Sequence, residues 1–390
     1  MSSQGLQPLR LRLAGEELAV FSRPGLPEWR SIPAPQALLA AEAELPPGGQ
    51  ALLWGCHNGA AALLLSRKLA GGQLSVLDSN ALALQAAGAT LQAHAAANAS
   101  LSTAASLLPD GAGRFDAVLL ELPKGRGRLR RRLAEGYELL RPGGSLYLAG
   151  ANDLGIQPAI KDAGERFGAA AAILAYKQGC RIARLVKPAQ AAPRSGWWDT
   201  PGIAPGSWHT LEAPLDGAVL RLDSLPGVFS YDRLDDGTRL LLETLQPRPG
   251  EAALDLGCGA GIIGLALARR GAAHVDLVDS DLEAAACARR NLAGLDPARW
   301  QVFAGWGFEP LAGRRYTLVA SNPPFHSGAQ VDYAAAEDFI RQSRAALEPG
   351  GRLVIVANRF IRYERIMAQV FGRVEVVAED RRYHVLEGSG

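Results

Sequence analysis

Residues 251–268 read EAALDLGCGAGIIGLALA, in which a short apolar run leads into three alternate glycines and then into a second apolar run. The first run predicts a buried β-strand and the second predicts a helix. Glycines at such a junction let the backbone approach a ligand closely, and a helix N-terminus presents free N–H groups. The next apolar run ends at Asp279, about 20 residues beyond the glycines, where a carboxylate meets ribose hydroxyls in a Rossmann-like unit. The stretch therefore predicts a nucleotide-type pocket in an α/β domain.

The spacing of the glycines favours one class of ligand. A dinucleotide-binding turn would have Gly or Ala at the position of Ile262. Ile262 therefore favours S-adenosylmethionine over a ligand with a pyrophosphate group. The predicted turn residues are Gly257, Gly259 and Gly261, with Asp255 two residues before the first of them.

A second motif follows the apolar run that precedes residue 321, where residues 321–326 read SNPPFH. Asn322 offers an amide oxygen, and Pro323 has a fixed φ and no N–H group, so that its carbonyl is held in place. Phe325 offers a ring face on which a nucleobase can stack. Two acceptors beside an aromatic ring predict a site for a planar amine. The adjacent His326 helps to release a proton, forms a hydrogen bond with the base, or has a structural role.

Together these motifs resemble those of the ribosomal RNA guanine-N2 methyltransferases. The resemblance extends to LPGVFS at 225–230, LDDGTRLLL at 234–242 and VANRFIRY at 356–363, and it covers residues 225–387. It implies S-adenosylmethionine as the cofactor and Asn322, Pro323 and Phe325 as catalytic residues. The residues that it implies for cofactor binding are Asp255, Gly257, Gly259, Gly261, Asp279, Thr238 near the methionine end, and Trp306. Because Gly305 or Trp306 stands where members usually have Asp or Asn beside adenine, adenine is then held by stacking or by backbone contacts.

The N-terminal half repeats the C-terminal half at an offset of roughly two hundred residues, which predicts a duplicated domain. The matched segments, in order, are 20–22 with 228–230, 51–59 with 253–261, 74–78 with the strand ending at Asp279, 117–123 with 318–324, and 140–148 with 347–355. The first copy has Leu53 in place of Asp255, His57 in place of Gly259, Glu121 in place of Asn322 and Lys124 in place of Phe325. We therefore expect the first copy to keep the scaffold and to bind no cofactor.

Alternating strand-like and helix-like segments predict an α/β chain. The resemblance implies two tandem Rossmann-like class I methyltransferase domains, each with a mainly parallel seven-stranded sheet whose last strand is antiparallel, near residues 384–386 in the second domain. The predicted boundaries are a degenerate domain at 1–187, a linker rich in Pro and Gly at 188–210, and a catalytic domain at 211–390. A chain of 390 residues has room for two such cores.

The charge of the chain is unevenly distributed. Residues 1–200 contain 21 of the 41 Lys and Arg residues but only 15 of the 39 Asp and Glu residues, so the first half is basic and the second is acidic. The densest basic stretch is residues 124–132. Phosphate binding would account for it, and a solvated start of a helix is the alternative. We expect RNA contacts from Lys124, Arg126, Arg128, Arg130, Arg131 and Arg132.

Other features of the sequence exclude several classes of protein. The four cysteines show no Cys-x-x-Cys spacing, so we expect neither a zinc site nor a disulfide framework. Residues 1–20 lack the apolar segment of a signal peptide, and no apolar run is long enough to cross a bilayer. We expect a cytoplasmic monomer that binds no metal and no membrane.

The predicted reaction is methyl transfer from S-adenosylmethionine to the exocyclic N2 amine of a guanine in ribosomal RNA or a ribosomal subunit, with 16S RNA favoured by the LPGVFS segment. Three alternatives stay open. They are a 23S RNA substrate, a methyltransferase acting on a protein amide or an adenine amine, and an RNA-binding assembly factor without activity.

Overall fold

The structure of the protein is a computed structural model. It describes residues 5–190, 196–311, 313–323, 326–327, 330–331 and 333–390, without the side chains of residues 326–335. The chain divides into two compact units, Met1–His209 and Thr210–Gly390. Within the described ranges, no helix combines the length and the apolar character that a membrane span requires.

The first unit begins with a hairpin and continues with alternating strands and helices. The hairpin consists of β1 (Gln7–Leu13) and β2 (Glu16–Ser22). The strands of the sheet are β3 (Gln50–Trp54), β4 (Gln73–Leu77), β5 (Ala99–Ser102), β6 (Phe115–Glu121), β7 (Leu140–Ala151), β8 (Ala172–Lys177) and β9 (Cys180–Val186). The helices are α1 (Ala34–Glu42), α2 (Ala60–Lys68), α3 (Ala81–Ala93), α4 (Arg126–Leu139) and α5 (Ile156–Phe167), followed by a 3-10 turn at Trp197–Asp199.

The second unit repeats this order. Its hairpin consists of β10 (His209–Leu215) and β11 (Ala218–Ser224). The strands that follow are β12 (Ala252–Leu256), β13 (His274–Asp279), β14 (Trp300–Ala304), β15 (Tyr316–Ser321), the short pair β16 (His326–Ser327) and β17 (Gln330–Val331), β18 (Leu347–Asn358), β19 (Arg373–Glu379) and β20 (Tyr383–Ser389). The helices are α6 (Asp236–Thr244), α7 (Ile262–Arg269), α8 (Leu282–Leu292), α9 (Tyr333–Ala346) and α10 (Tyr363–Met367), with 3-10 turns at Pro297–Arg299 and Glu309–Leu311.

Both seven-stranded sheets have the same topology. The strand orders are β5-β4-β3-β6-β7-β9-β8 and β14-β13-β12-β15-β18-β20-β19. In each sheet one strand, β9 or β20, runs antiparallel to its neighbours, and the other ladders are parallel. The predicted fold class is confirmed, including the antiparallel strand near residues 384–386. The central strands are almost wholly buried because helices cover both faces of a parallel sheet.

The two sheets also agree in register. Leu52 pairs with Val118 in the first sheet, and Leu254 pairs with Val319 in the second. This is the alignment that the sequence predicts for the segments 51–59 and 117–123. The two units therefore share the register of their strands as well as the strand order.

The predicted match of residues 20–22 with 228–230 is wrong. Residues 20–22 end β2, and the corresponding strand of the second unit, β11, ends at Ser224. Three similar residues are too few to set a strand register, and the segment between the hairpin and the next helix has the same length in both units, residues 23–33 and 225–235. Residues 225–230 instead form a loop between β11 and α6.

The core of the second unit covers both faces of its sheet. One apolar cluster includes Leu241 of α6 and Leu277 of β13, and another includes Ile340 of α9 and Leu353 of β18. Because both faces are occupied by apolar side chains, polar groups for a ligand are presented where the strands end. In open α/β sheets that place is the crevice at the carboxyl ends of the strands, where the strand order reverses.

In this chain the strand order reverses between β12 and β15. The hydroxyl of Ser321, at the end of β15, donates a 2.6 Å hydrogen bond to the carbonyl of Leu256 at the end of β12. This contact brings the glycine turn after β12 beside Asn322 and Pro323. The two predicted motifs, more than sixty residues apart in the chain, thus meet at one edge of the sheet.

Candidate active site

The glycine turn after β12 has a left-handed backbone at three positions. The φ angles are 74° at Gly257, 53° at Gly259 and 82° at Gly261. A Cβ atom built on Gly257 or Gly259 meets no described atom within 4 Å, whereas one built on Gly261 lies 2.9 Å from Cβ of Ala288. Gly261 is therefore required for packing against α8. Gly257 and Gly259 leave open space in which a ligand can approach the backbone.

Asp255 lies behind this turn and is fully buried. Its Oδ2 accepts a 2.8 Å hydrogen bond from the N–H of Gly264 in α7, and its Oδ1 is buried without a hydrogen-bond partner among the described residues. Burial, helped by the charge of Asp279, raises the pKa of Asp255 to about 7. In this structure the carboxyl group holds α7 against β12 and is screened from the open space in front of the turn.

Asp279 links the end of β13 to the same turn. One oxygen accepts a 2.8 Å hydrogen bond from the N–H of Gly259, and the other accepts a 2.8 Å hydrogen bond from the N–H of Asp281. Burial raises the pKa of Asp279 to about 6, although these N–H groups favour the charged form. Since a carboxylate oxygen has more than one lone pair, each oxygen can still accept a ribose hydroxyl.

Asn322, directly after β15, is held by two residues at the start of α6. Its Nδ2 donates to Oδ2 of Asp235 over 3.0 Å and to Oγ1 of Thr238 over 2.9 Å. Oδ2 of Asp235 also accepts the N–H of Thr238 and so caps the helix. Because a carboxylate cannot donate, the group that faces Asp235 must be the NH₂ of Asn322, which fixes the orientation of the amide. The amide oxygen is then available as an acceptor.

The other predicted residues of the second motif are only partly covered by the structure. Pro323 is buried at the end of β15. Phe325 lies outside the described residues, and His326 begins β16 without a described side chain. Trp306 is 37% exposed, and the N–H of the preceding Gly305 donates a 2.9 Å hydrogen bond to the carbonyl of Asp279. Trp306 therefore lies at the same edge of the sheet, next to the acidic end of β13.

Two cavities meet at Asn322. The first is lined by the glycine turn and the start of α7, together with Leu211, Leu222, Phe229, Ser230, Arg233, Leu234, Asp235, Thr238 and Asn322. The second is lined by Phe229, Asp235, Asn322, Pro323, Val356, Ala357, Asn358, Ile361, Tyr363 and Tyr383. The residues shared by both are Phe229, Asp235 and Asn322. Such a pair of cavities suits two ligands that exchange a group beside the Asn322 amide.

Phe229 and Asp235 are absent from the predicted site residues, although both belong to segments that resemble the guanine-N2 methyltransferases. Their position in those segments is the feature of the sequence from which they could have been predicted. Thr238, predicted near the methionine end of the cofactor, lines the first cavity and also contacts Asn322. Among the described residues, no group of three or more His, Cys, Asp or Glu side chains could hold a metal ion.

In the first unit, side chains fill the corresponding space. A Cβ atom on Gly55, the counterpart of Gly257, would lie 3.2 Å from Cβ of Glu121. Gln36, at the position of Thr238, donates from Nε2 to the carbonyl of Gly55 over 2.8 Å and to Glu121 over 2.5 Å. Burial raises the pKa of Glu121 to about 7. The scaffold is kept, and a Gln–Glu pair closes the site.

The backbone at His57 has nearly the same conformation as the backbone at Gly259 of the second unit. Its φ is 48°, against 53° at Gly259, so the turn has the same left-handed conformation in both units. The ring of His57 points away to the loop before α1, with Nε2 2.6 Å from the carbonyl of Pro27. The first unit therefore keeps the left-handed conformation at this position although the side chain is different.

The basic stretch 124–132 is less available to RNA than its sequence predicts. It enters α4 at Arg126, and both Arg126 and Arg130 form hydrogen-bonded ion pairs with the buried Asp162. Lys124 and Arg126 remain exposed, whereas Arg128 and Arg130 are half-buried. An internal carboxylate therefore offsets part of this charge.

The structure differs most clearly from the predicted RNA contacts at Arg131 and Arg132, because both side chains are buried. Arg131 pairs with Glu135 over 3.0 Å. Arg132 donates to the hydroxyl of Ser79 over 3.1 Å, and its guanidinium lies 5.4 Å from the ring centre of Trp54. A buried, partnered guanidinium is not free to bind a phosphate, so these two residues do not belong to an RNA-binding surface in this structure.

Comparisons with known proteins show the family to which this chain belongs. The methyltransferase small domain family matches residues 17–179 and 219–387. The chain is 35% identical over 282 residues to the ribosomal RNA small subunit methyltransferase C of Psychromonas ingrahamii, with 71% of this chain and 76% of that protein covered. It is 36% identical over 272 residues to the protein of the same name from Pseudomonas entomophila, with 70% and 78% covered.

A solved structure extends the likeness to the whole chain. The T. thermophilus 16S rRNA N2 G1207 methyltransferase (RsmC), in complex with AdoMet and guanosine, is 30% identical, with 100% of both chains covered and a TM-score of 0.77. The fold and the glycine turn thus define a class I S-adenosylmethionine-dependent methyltransferase. The chain belongs to the methyltransferase small domain family and, within it, to the ribosomal RNA small subunit methyltransferases C. The predictions of family, enzyme class and cofactor are confirmed.

Proposed function

We propose that this protein transfers the methyl group of S-adenosylmethionine to the exocyclic N2 amine of a guanine in 16S ribosomal RNA. The observation that carries the proposal is the Asn322 amide, oriented by Asp235 and Thr238 where the two cavities meet. The relatives named as small subunit methyltransferases, and the T. thermophilus enzyme that acts on N2 of a 16S guanine, support the substrate.

The first cavity, with Asp279 and Trp306 at the same edge of the sheet, fits the cofactor. Gly257 and Gly259 leave room for it at the turn, Asp279 can accept ribose hydroxyls, and Trp306 offers a ring for adenine. Asp255 is assigned to holding the turn and α7, since its carboxyl group is screened from the cavity. The bound cofactor supplies a methyl group activated by a sulfonium centre.

The chemistry at the second cavity follows from the amine. The N2 amine of guanine is a poor nucleophile because its lone pair is delocalised into the ring. Oδ1 of Asn322 and the carbonyl of Pro323 can each accept a hydrogen bond from one N–H group of this amine. Both hydrogen bonds strengthen as the nitrogen gains positive charge. That is stabilisation specific to the transition state. As the N–CH₃ bond forms, the S–CH₃ bond would break and leave S-adenosylhomocysteine. No strong base is required, since the methylated, positively charged nitrogen is acidic and loses its proton to water. Stacking on Phe325 would orient the guanine base.

The same proposal divides the work between the domains. Residues 1–187 form a domain that binds no cofactor and serves as an RNA-binding scaffold, residues 188–210 link the domains, and residues 211–390 carry catalysis. The Gln36–Glu121 pair, which fills the space beside Gly55, supports the absence of a second cofactor site. The exposed Lys124 and Arg126 are the residues of the basic stretch that remain candidates for RNA contact.

We also propose that the protein acts as a monomer in the cytoplasm, where its ribosomal substrate is located. Both domains belong to one chain, and the two cavities are lined by residues 211–383 alone, so the proposed reaction requires no second copy. Light scattering coupled to size-exclusion chromatography tests this point, and a stable dimer would contradict it.

The experiment that tests the reaction uses purified protein, labelled S-adenosylmethionine, and 16S RNA or small subunits from cells lacking the gene. Label should appear in N2-methylguanosine after digestion to nucleosides. Asn322→Ala should lower transfer by roughly 10²–10³ without a comparable loss of cofactor affinity. Label in 23S RNA, in a protein or in methyladenosine would contradict the proposal, as would undiminished transfer by Asn322→Ala.

A further inference from the structure

Two loops border the second cavity at the carboxyl edge of the sheet. One follows β18 and the other precedes β20. The N–H of Arg359 donates a 2.9 Å hydrogen bond to the carbonyl of Arg382, and Asn358 pairs with Tyr383 in the β18–β20 ladder. The loops therefore lie side by side. Ile361 from the first loop lines the cavity together with Asn358 and Tyr383 at the adjoining strand ends, so a base in the cavity lies beside this pair of loops.

The same two loops carry four exposed arginines, which we call the arginine rim: Arg359, Arg362, Arg381 and Arg382. Arg362 and Arg381 form no ion pair with a described residue. Arg359 lies 3.5 Å from Glu379, and Arg382 lies 3.2 Å from Asp236, both in solvent-exposed pairs. Exposed pairs of this kind are weak, so a phosphate can compete for these guanidinium groups.

An exposed aromatic ring lies within the rim. Phe360 is 67% exposed, although its neighbour Ile361 is 1% exposed and fixes the loop by donating its N–H to the carbonyl of Asn358 over 2.9 Å. An apolar ring presented to solvent on an anchored loop, with arginines on the same loop, is the arrangement that binds single-stranded nucleic acid. Bases stack on the ring while cations follow the backbone.

We infer that the arginine rim and Phe360 bind the single-stranded nucleotides that flank the target guanine. The inference rests on the proposed function, since it names the part of the RNA that the loops contact. The principal RNA contact of the catalytic step is then at the edge of the second cavity and not at the basic stretch 124–132. In that stretch, most of the arginines are paired with internal carboxylates or buried.

The test compares two sets of charge-neutralising substitutions in the full-length protein. The rim variant carries Arg359→Gln, Arg362→Gln and Arg381→Gln. The matched control carries Arg248→Gln, Arg269→Gln and Arg373→Gln, which remove the same charge from exposed positions before β12, at the end of α7 and at the start of β19, at the opposite edge of the sheet. The probe is a short single-stranded RNA with one guanine, and its affinity is measured at several salt concentrations.

The rim variant should lose at least about tenfold in RNA affinity at low salt, and the salt slope should fall by about 2, since each phosphate contact to a single strand contributes about 0.7. Its affinity for S-adenosylmethionine should stay unchanged. The control should behave as wild type. Equal behaviour of the rim variant and the control would overturn the inference.

Phe360 provides a second, independent measurement. Phe360→Ala should weaken RNA binding roughly tenfold, and Phe360→Trp should retain it, because stacking requires an aromatic face. Equal affinities of the two variants would exclude a stacking role. The outcomes also separate this inference from the proposed function. If wild type methylates guanine while the rim variant binds RNA normally, the inference alone fails, and if wild type methylates no ribosomal RNA, the proposed function fails.

Discussion

The carboxylate of Asp235 orients the amide of Asn322 by accepting a 3.0 Å hydrogen bond from its Nδ2. The same carboxylate oxygen caps α6 through the N–H of Thr238. One oxygen atom thus couples the start of a helix to the direction of the amide, 87 residues later in the chain. The coupling leaves the amide oxygen of Asn322 free to accept a hydrogen bond from a substrate amine.

Thr238→Val should lower kcat roughly 3- to 10-fold, the equivalent of one lost hydrogen bond, because Asn322 loses the hydroxyl that accepts its Nδ2. Thr238→Ser keeps the hydroxyl and should retain most of the wild-type rate. Steady-state kinetics with saturating cofactor measure the difference. Since Thr238 is also next to the first cavity, KM for the cofactor is measured for both variants. Equal kcat values for Val and Ser would refute the orienting role.

Gly259→Ala should abolish most cofactor binding. It should also lower the free energy of unfolding by about 1–2 kcal/mol, because residue 259 has a left-handed backbone. Gly250→Ala is the matched control, since Gly250 also has a positive φ and open space at its Cβ but lies before β12. Thermal unfolding should show similar losses for both, and titration with S-adenosylmethionine should show a loss for Gly259→Ala alone. Normal binding by Gly259→Ala would mean that the ligand does not approach this turn.

Each chain should bind one S-adenosylmethionine, although two copies of the scaffold are present. Calorimetric titration of wild type should give a stoichiometry near one. Asp279→Ala should remove that binding, whereas Asp78→Ala, the same change at the corresponding strand end of the first unit, should leave it unchanged. Asp78 accepts the N–H of Asn80 as Asp279 accepts that of Asp281, and each carboxylate also accepts one N–H from the turn of its own unit, so the two variants are structurally comparable. A second site that Asp78→Ala eliminates would contradict the division of labour.

Cofactor affinity should fall as the pH is lowered below about 6. Burial raises the pKa of Asp279 to about 6 in the free protein, and hydrogen bonds from ribose hydroxyls favour the ionised carboxylate. Binding therefore lowers this pKa and releases a proton at acidic pH, but not well above pH 6. Calorimetry in two buffers of different ionisation enthalpy detects the proton. Asp255→Asn should retain the loss of affinity at acidic pH, with a midpoint at slightly lower pH, because the charges of Asp255 and Asp279 oppose each other. An affinity independent of pH between 5 and 8 would argue against the role of Asp279.

The sequence predicts the sheets and the position of the motifs because both depend on local patterns. The glycine turn follows a buried apolar strand, and Asn322 follows another, so parallel strands bring both to one edge. The register of the repeat is likewise set by apolar runs of matching length, which is why the segments 51–59 and 117–123 align correctly.

The contacts that orient or block the sites could not be predicted, because they join residues that are distant in the chain. Nothing near Asn322 in the sequence indicates Asp235, and nothing near Gly55 indicates that Gln36 and Glu121 meet beside it. The charge run 124–132 has the same limitation. Its exposure depends on Asp162, 36 residues beyond Arg126, and on the helical turn that buries Arg131.

The most direct test of the account is nucleoside mass mapping of 16S and 23S ribosomal RNA from cells that lack this gene, complemented by wild type or by Asn322→Ala. We predict that N2-methylguanosine is lost at one position of 16S RNA, that wild type restores it and that Asn322→Ala does not. Unchanged 16S RNA in the deleted strain, a lost methyl group in 23S RNA alone, or full restoration by Asn322→Ala would contradict the account.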